Sequence, residues 1–308
     1  MLKTSVRSVL LWLVIIAAVS AETFNAILIS LDGARRERLY SMLAADKLPA
    51  MKQFKTNGAL VEIKVEGHQT ETGPGHAEML TGLPKEITNV YTNPKYDAIP
   101  EGLTIGERLK KALGKDNIVV MMVMGKMGYM GARSPAEFTE TEKDSWWGNL
   151  TQPYINARKN IDFWFGDEAR ATDVVGAKGI TYLQKFKDKR FFMFLHFKDT
   201  DAVGHTFGEN SAAYEAAFVI EDAWIGKIID KLKDLKIYDK TLIYITADHG
   251  FDKGEKTHLD APDIFLATND KTVKKNGTQA DIVPTILTQF NIDLSKLEPK
   301  LPGKPLNQ

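Results

Sequence analysis

Three carboxylates and three histidines stand just beyond the ends of widely separated apolar runs. Asp32 follows Asn25-Ala-Ile-Leu-Ile-Ser-Leu31, and Asp201 and His205 follow Phe191-Phe-Met-Phe-Leu-His-Phe197. Asp248 and His249 close Thr241-Leu-Ile-Tyr-Ile-Thr-Ala247, with His258 one short loop further on. Carboxylate and imidazole are the donor types of a divalent cation, and this set is the ligand inventory of a two-metal site. Each signal is weak alone. An Asp commonly opens a loop, a single His is usually a satisfied polar residue, and adjacent Asp248 and His249 can ligate together only where the chain turns, as Gly250 permits. Together they share one feature that apolar packing does not require, a place at the end of a run.

A hydroxyl belongs to the same reading. Thr72-Gly-Pro-Gly-His76 precedes a short helical pattern, Ala77 to Thr81, closed by Gly82. Pro74 suits a first helical turn and the flanking glycines let backbone approach a ligand closely. Thr72 therefore falls at a helix N-terminus, where unpaired amides and the dipole favour negative charge. A threonine hydroxyl is a poor nucleophile until ionised, and a bound cation supplies that activation. An ordinary N-cap threonine is the alternative reading.

The apolar runs read as buried parallel strands, whose carboxyl ends are where open α/β sheets bind ligands. Strands are expected at 25–31, 61–65, 118–124, 191–197, 241–247 and 264–267. Helical patterns lie between them at 103–113, 169–186, after Ser211 and at 280–290. The fold class is α/β, a mostly parallel central sheet flanked by helices on both faces. The stretch 127–168, rich in Gly and aromatics and without a steady period, reads as an irregular insertion near the mouth of the site. The tail from Leu297 is expected to lie along the surface.

Residues 1–21 have the layout of a secretory signal peptide, with Lys3 and Arg7, an apolar stretch Val9 to Val19, and the small-residue exit Val19-Ser20-Ala21. An uncleaved anchor is the alternative, although the stretch is short for a span. The expectation is an exported protein, periplasmic or secreted, with no stable membrane span after cleavage and one catalytic domain over 22–308. The 40 basic and 40 acidic residues cancel, so no global field draws the chain to nucleic acid or anionic membrane. With no cysteine, a metal site must use oxygen and nitrogen ligands. Sequons stand at Asn149 and Asn276.

The chain resembles the alkaline phosphatase superfamily, closest to its type I phosphodiesterase and nucleotide pyrophosphatase branch. The matching pieces, in order, are Leu31-Asp32-Gly33, Thr72-x-Pro-x-His76, Thr81-Gly82-Leu83, Asp201-x-x-Gly-His205, Asp248-His249-Gly250, His258 and Leu301-Pro-Gly-Lys-Pro-Leu306. The resemblance implies an alkaline-phosphatase-like fold with two zinc ions, other divalent metals being possible. Asp32, Thr72, Asp248 and His249 would hold one ion; Asp201, His205 and His258 would hold the other. It further implies Thr72 as nucleophile of a phosphothreonine intermediate, with the Asn93 amide and the Gly73 backbone amide as donors to phosphoryl oxygens.

The function expected on this basis is a phosphodiesterase or nucleotide pyrophosphatase acting on a small-molecule phosphoester. A phosphomonoesterase is the alternative if Lys126, just past the 118–124 strand, meets the extra charge of a monoester. A sulfatase-like hydrolase is disfavoured, because that branch resembles Cys/Ser-x-Pro-x-Arg where this chain has Thr72 and His76. A non-catalytic binding protein on the same fold would be favoured by a missing ligand or nucleophile, and none is missing. His68, His76 and His196 are read as structural, and Trp146 and Trp147 as packing anchors or as stacking surfaces for a base.

Overall fold

The computed structural model describes residues 25–145, 147–166 and 169–308. The predicted leader and Trp146 lie outside the described residues. Among the described residues one sheet contains β1 (Asn25–Leu31), β2 (Ala59–Lys64), β3 (Val119–Val123), β4 (Phe163–Phe165), β5 (Phe191–Phe197), β6 (Thr241–Thr246), β7 (Asp263–Thr268) and β8 (Gly277–Thr278). Their spatial order is β4-β3-β5-β1-β6-β7-β2-β8. Every residue of β1 and β5 is buried, the condition of a strand covered on both faces, which is why these runs show no alternation. Asn25 stitches the three central strands at their amino ends, its Oδ1 accepting from Phe191 N at 3.0 Å and its Nδ2 donating to Thr241 Oγ1 at 3.3 Å.

All strand pairs are parallel except those made by β7, which runs antiparallel to both β6 and β2. A parallel neighbour needs a long crossover, usually helical. The chain between β6 and β7 contains no helix. It therefore turns back at the rim where β6 ends, and keeps Asp248, His249 and His258 at that one end.

The helices are α1 (Arg36–Ala44), α2 (Pro49–Asn57), α3 (Thr72–Thr81), α4 (Lys85–Thr88), α5 (Ile105–Leu113) and α6 (Glu140–Lys143). They continue with α7 (Ile155–Arg158), α8 (Thr172–Phe186), α9 (Asp199–Phe207), α10 (Ala212–Asp234) and α11 (Ile282–Gln289). Capping explains two of the starts. Thr104 accepts from Glu107 N while Glu107 reaches back to Thr104 N, and Ser211 Oγ accepts from Tyr214 N at 3.1 Å. The helix α10 packs with α1, α2, α8 and α9, whereas α11 packs with α3 and α5, so the sheet is flanked by two separate helical groups. No helix among the described residues is long and apolar enough to cross a membrane.

The structure corrects one expectation and sharpens two others. The stretch 127–168 is not wholly an excursion, because its residues Phe163–Phe165 form β4, the sheet's edge strand, in parallel register with β3 from Met121↔Phe163 to Val123↔Phe165. Three residues are too few to display a period. Asp201 and His205 lie on α9, which starts directly after β5 and puts residues four apart on one face. The tail runs over the surface as expected but is pinned there, with Leu306 buried and its amide donating to Thr285 Oγ1 at 2.8 Å.

The small residues of the Thr72 motif have a packing reason. A Cβ added at Gly75 would lie 2.7 Å from the backbone oxygen of Asp248, so α3 reaches the end of β6 only because position 75 has no side chain. Gly75→Ala is expected to cost about 1–3 kcal/mol of stability and to displace Asp248. Denaturant unfolding alongside metal analysis checks this; an alanine variant as stable as the parent would show that the approach is not tight.

Candidate active site and metal centre

Four adjacent parallel strands deliver polar side chains to one rim of the sheet. In sheet order, β3 ends before Lys126, β5 before Asp201 and His205, β1 before Asp32, and β6 before Asp248 and His249. Adjacent strands are about 4.8 Å apart, so these ends lie within reach of one another. The chain after β2 brings Thr72 to the same rim as the first residue of α3.

Two donor clusters result. One ligand atom from each of Asp32, Asp248 and His249 lies within 4.8 Å of the others, and the same holds for Asp201, His205 and His258. The structure thus brings together all six expected carboxylate and imidazole ligands, in the two groups named from the resemblance. The clusters touch, because the His249 and His258 rings stack with centroids 4.0 Å apart. Asp32, Asp248, His249 and Thr72 are essentially inaccessible, while His205 is the exposed member.

The tautomers are set by backbone carbonyls. Nδ1 of His249 lies 2.8 Å from Gly250 O, Nδ1 of His205 lies 2.8 Å from Lys256 O, and Nδ1 of His258 lies 2.6 Å from Thr70 O. A carbonyl only accepts, so each Nδ1 carries a proton and Nε2 is the nitrogen left to ligate, the arrangement usual in metal-ligating histidines. Two such nitrogens, of His205 and His258, face each other at 3.1 Å. Beside them, the buried Asp201 Oδ1 and Asp248 Oδ2 make no hydrogen bond. Facing imidazole nitrogens, and buried carboxylate oxygens whose closest contacts are ion pairs with His205 and His76 at 3.3 Å, are costly unless a cation lies among them, so the residues present fit divalent metal ions with an O/N donor preference.

Electrostatics keeps Asp32, Asp201 and His258 in their ligating forms, whereas the contact with Asp201 raises the exposed His205 ring above its ordinary value. Burial pulls the Asp32 carboxyl upward, but Lys126, with His196 and His249, more than outweighs it and holds Asp32 well below the usual carboxylate range. Burial likewise opposes ionisation of Asp201, and Lys126 again overrides it. Burial, helped by His249, pushes His258 down to about 4, so its ring is neutral at physiological pH.

Thr72 is not an N-cap. The cap position is Glu71, and the Thr72 hydroxyl is aimed across the site instead. Its Oγ1 lies 3.4 Å from Asp32 Oδ1, 3.5 Å from His249 Nε2 and 3.2 Å from Lys126 Nζ. The other two residues expected to contact a phosphoryl group are engaged with each other, Gly73 N donating to Asn93 Oδ1 at 2.7 Å. That bond orients the Asn93 side chain, while the Asn93 backbone N donates to Glu71 Oε2 at 2.5 Å. It also occupies the Gly73 amide, so the Gly73 donor role requires Asn93 to release it.

His196 is the residue the sequence reading missed. Its Nε2 lies 2.8 Å from Asp32 Oδ2, and its Nδ1 accepts from Gly125 N at 3.4 Å, so it donates to the carboxylate from Nε2. A signal was available: a lone histidine inside a wholly apolar run. Only the register Ser30↔His196 makes it meaningful, because that pairing sets His196 diagonally beside Asp32 on the same sheet face. His76 braces the Thr72 turn, donating from Nδ1 to Thr72 O at 2.8 Å and meeting Ser30 Oγ with Nε2 at 2.9 Å. His68 contacts Glu78 and Gln279, and Gln279 in turn donates to Asp248 O at 3.1 Å. Arg35 and Arg36 are paired with Glu209 and Asp263. Trp147 packs edge-on against Phe138.

The helix α9 is anchored from behind by Glu221, which is fully buried and accepts from Thr200 N at 3.1 Å and Thr200 Oγ1 at 2.5 Å. Burial raises the Glu221 carboxyl well above its ordinary value despite those bonds. The native chain therefore holds this proton more tightly than the unfolded one. The stability it contributes is full below the unfolded value and is lost as pH rises toward the folded one. Glu221→Gln, which never ionises, is expected to gain a few degrees in melting temperature over the parent between acidic and mildly alkaline pH. A melting difference independent of pH would sink this.

Residues 26–300 match the family described as type I phosphodiesterase / nucleotide pyrophosphatase, and the chain belongs to that family. Bis(5'-adenosyl)-triphosphatase ENPP4 of Pongo abelii is 23% identical over 261 residues, which cover 84% of this chain and 55% of that protein. The chain spans about half the length of the curated relatives it matches first. In three dimensions it is similar to the phosphonate monoester hydrolase SpPMH from Silicibacter pomeroyi, with TM-score 0.60 and 16% identity over 92% of this chain and 75% of that one. A protein of the alkaline phosphatase superfamily from Vibrio parahaemolyticus aligns with TM-score 0.59 and 15% identity, covering 93% and 70% of the two chains. The fold is alkaline-phosphatase-like.

Proposed function

We propose that this protein is an exported, metal-dependent phosphoester hydrolase, a phosphodiesterase or nucleotide pyrophosphatase acting through Thr72. The observation that carries the reading is the convergence of two O/N donor clusters beside one buried hydroxyl. Asp32, Asp248, His249 and Thr72 would hold one zinc ion, and Asp201, His205 and His258 the other. Ions bound there supply Lewis acidity, favouring ionised Thr72 and neutralising the charge on a departing oxygen.

The chain's own residues do the rest. Thr72 Oγ forms the new bond to phosphorus as the bond to the leaving oxygen breaks, and that oxygen departs with the electron pair and takes up a proton. The α3 N-terminus favours the negative charge carried there. Asn93 orients a phosphoryl oxygen. Water then attacks phosphorus, the Thr72–phosphorus bond breaks, and the hydroxyl is restored.

A second reading, a phosphomonoesterase, is favoured by one specific observation: Lys126 Nζ stands 3.2 Å from Thr72 Oγ1, where a cation would meet a third phosphoryl oxygen. Turnover of a diester, a monoester and a sulfate ester bearing one common leaving group decides between them, run together with zinc analysis. About two zinc per chain with the diester fastest is the expected result. A monoester preference selects the second reading, a sulfate preference a sulfatase-like hydrolase, and a metal-free, inactive protein the binding-protein alternative.

A further inference from the structure

We propose that Lys126 is the internal counter-cation of the metal centre, a positioning residue that links the two donor clusters and weakens cation binding at both. The inference rests on the two-cluster reading above and adds to it a control on metal occupancy.

The two carboxylates divide their oxygens. Asp32 turns Oδ1 toward its cluster, 3.4 Å from Thr72 Oγ1 and 3.7 Å from His249 Nε2, and Oδ2 toward Lys126 Nζ at 2.8 Å. Asp201 turns Oδ1 toward the other cluster, 3.3 Å from His205 Nε2 and 4.0 Å from His258 Nε2, and Oδ2 toward the same Nζ at 2.6 Å. One ammonium thus touches a carboxylate of each cluster without using the oxygen that faces that cluster's own imidazoles, although Asp32 Oδ2 also accepts from His196 Nε2 at 2.8 Å. Asp32 and Asp201 are held no farther apart than two hydrogen bonds allow, with their repulsion cancelled before any ion arrives.

Two consequences follow. A fixed positive charge beside both ligand sets lowers their attraction for further cations, strongly so in a buried, weakly screened site. Ligands held in place by Lys126 also gain less from binding an ion, because the ion has less repulsion to relieve. Both effects have the same sign, so removing the charge should tighten both sites and leave the unloaded protein less stable. The price is paid in the metal-free chain, which is where a melting measurement reads it.

The test starts from zinc-loaded protein and follows zinc release to a chelator in wild type, Lys126→Met and Lys126→Arg. Release from the methionine variant is expected to be at least tenfold slower, with a wider gap in melting temperature between loaded and stripped protein. The arginine variant should behave like wild type. Lys126→Gln, which keeps hydrogen bonding to both carboxylates and drops the charge, should repeat the slowing if the methionine variant does not accumulate. Release as fast as wild type, or faster, from the uncharged variants overturns the proposal. Wild-type protein that holds no zinc overturns the metal-centre reading itself, and this inference with it.

Discussion

Thr72→Ala is expected to lower turnover by about 10⁴-fold or more, while zinc content stays at the wild-type level and the melting temperature moves by only a few degrees. Thr72 is 1% exposed, and its hydroxyl makes no cap bond in its own helix, so α3 does not need it to form. Asp32, Asp248 and His249 keep their mutual geometry without it, and Lys126 keeps both of its carboxylates. What disappears is the hydroxyl set among Asp32, His249 and Lys126. Thr72→Ser restores an oxygen there and should recover much of the rate, which separates chemistry from packing. Steady-state kinetics on one diester, with metal analysis of the same preparations, is the check. An alanine variant with a tenth of the wild-type rate would remove Thr72 from the mechanism.

Asp32→Asn is expected to act on both occupancy and stability. The side chain is fully buried and its carboxylate faces Lys126 and His196 at 2.8 Å each. Asparagine preserves the shape but removes the charge that compensates a buried ammonium, and breaking such a pair costs about 3–5 kcal/mol. For a chain of this size that is a fall in melting temperature of roughly 5–15 °C. The same change strips an anionic ligand from the Asp32–Asp248–His249 cluster, so about one zinc per chain should be lost and turnover should fall by about 10³-fold or more. Retention of two ions and near-normal turnover in the asparagine variant would refute the assignment of Asp32 to that cluster.

Much of the fold was legible because central strands have an unambiguous signature. The runs at 25–31 and 191–197 are continuous and apolar because both sheet faces are covered there, and each strand bound deduced from them lies within two residues of the observed one. Long amphipathic segments such as α10 declared themselves by period and by the Ser211 cap. Short elements did not. β4 has three residues, and α9 spends its first turn on Asp199 and Asp201, which read equally well as the start of a loop.

The types of the chemical groups, and their place after strand ends, were determined by the order of residues alone, since a parallel sheet carries every such end to one rim. Tertiary structure decided which groups share a cluster, because that depends on the strand order β3-β5-β1-β6, and neighbours in space here are remote in the chain. It also recruited His196, whose meaning comes from its register with Ser30. And it placed Lys126 between Asp32 and Asp201, a contact spanning 75 residues on one side that no local pattern encodes. Local sequence specifies what a side chain can do; the distances between strands specify with which partners.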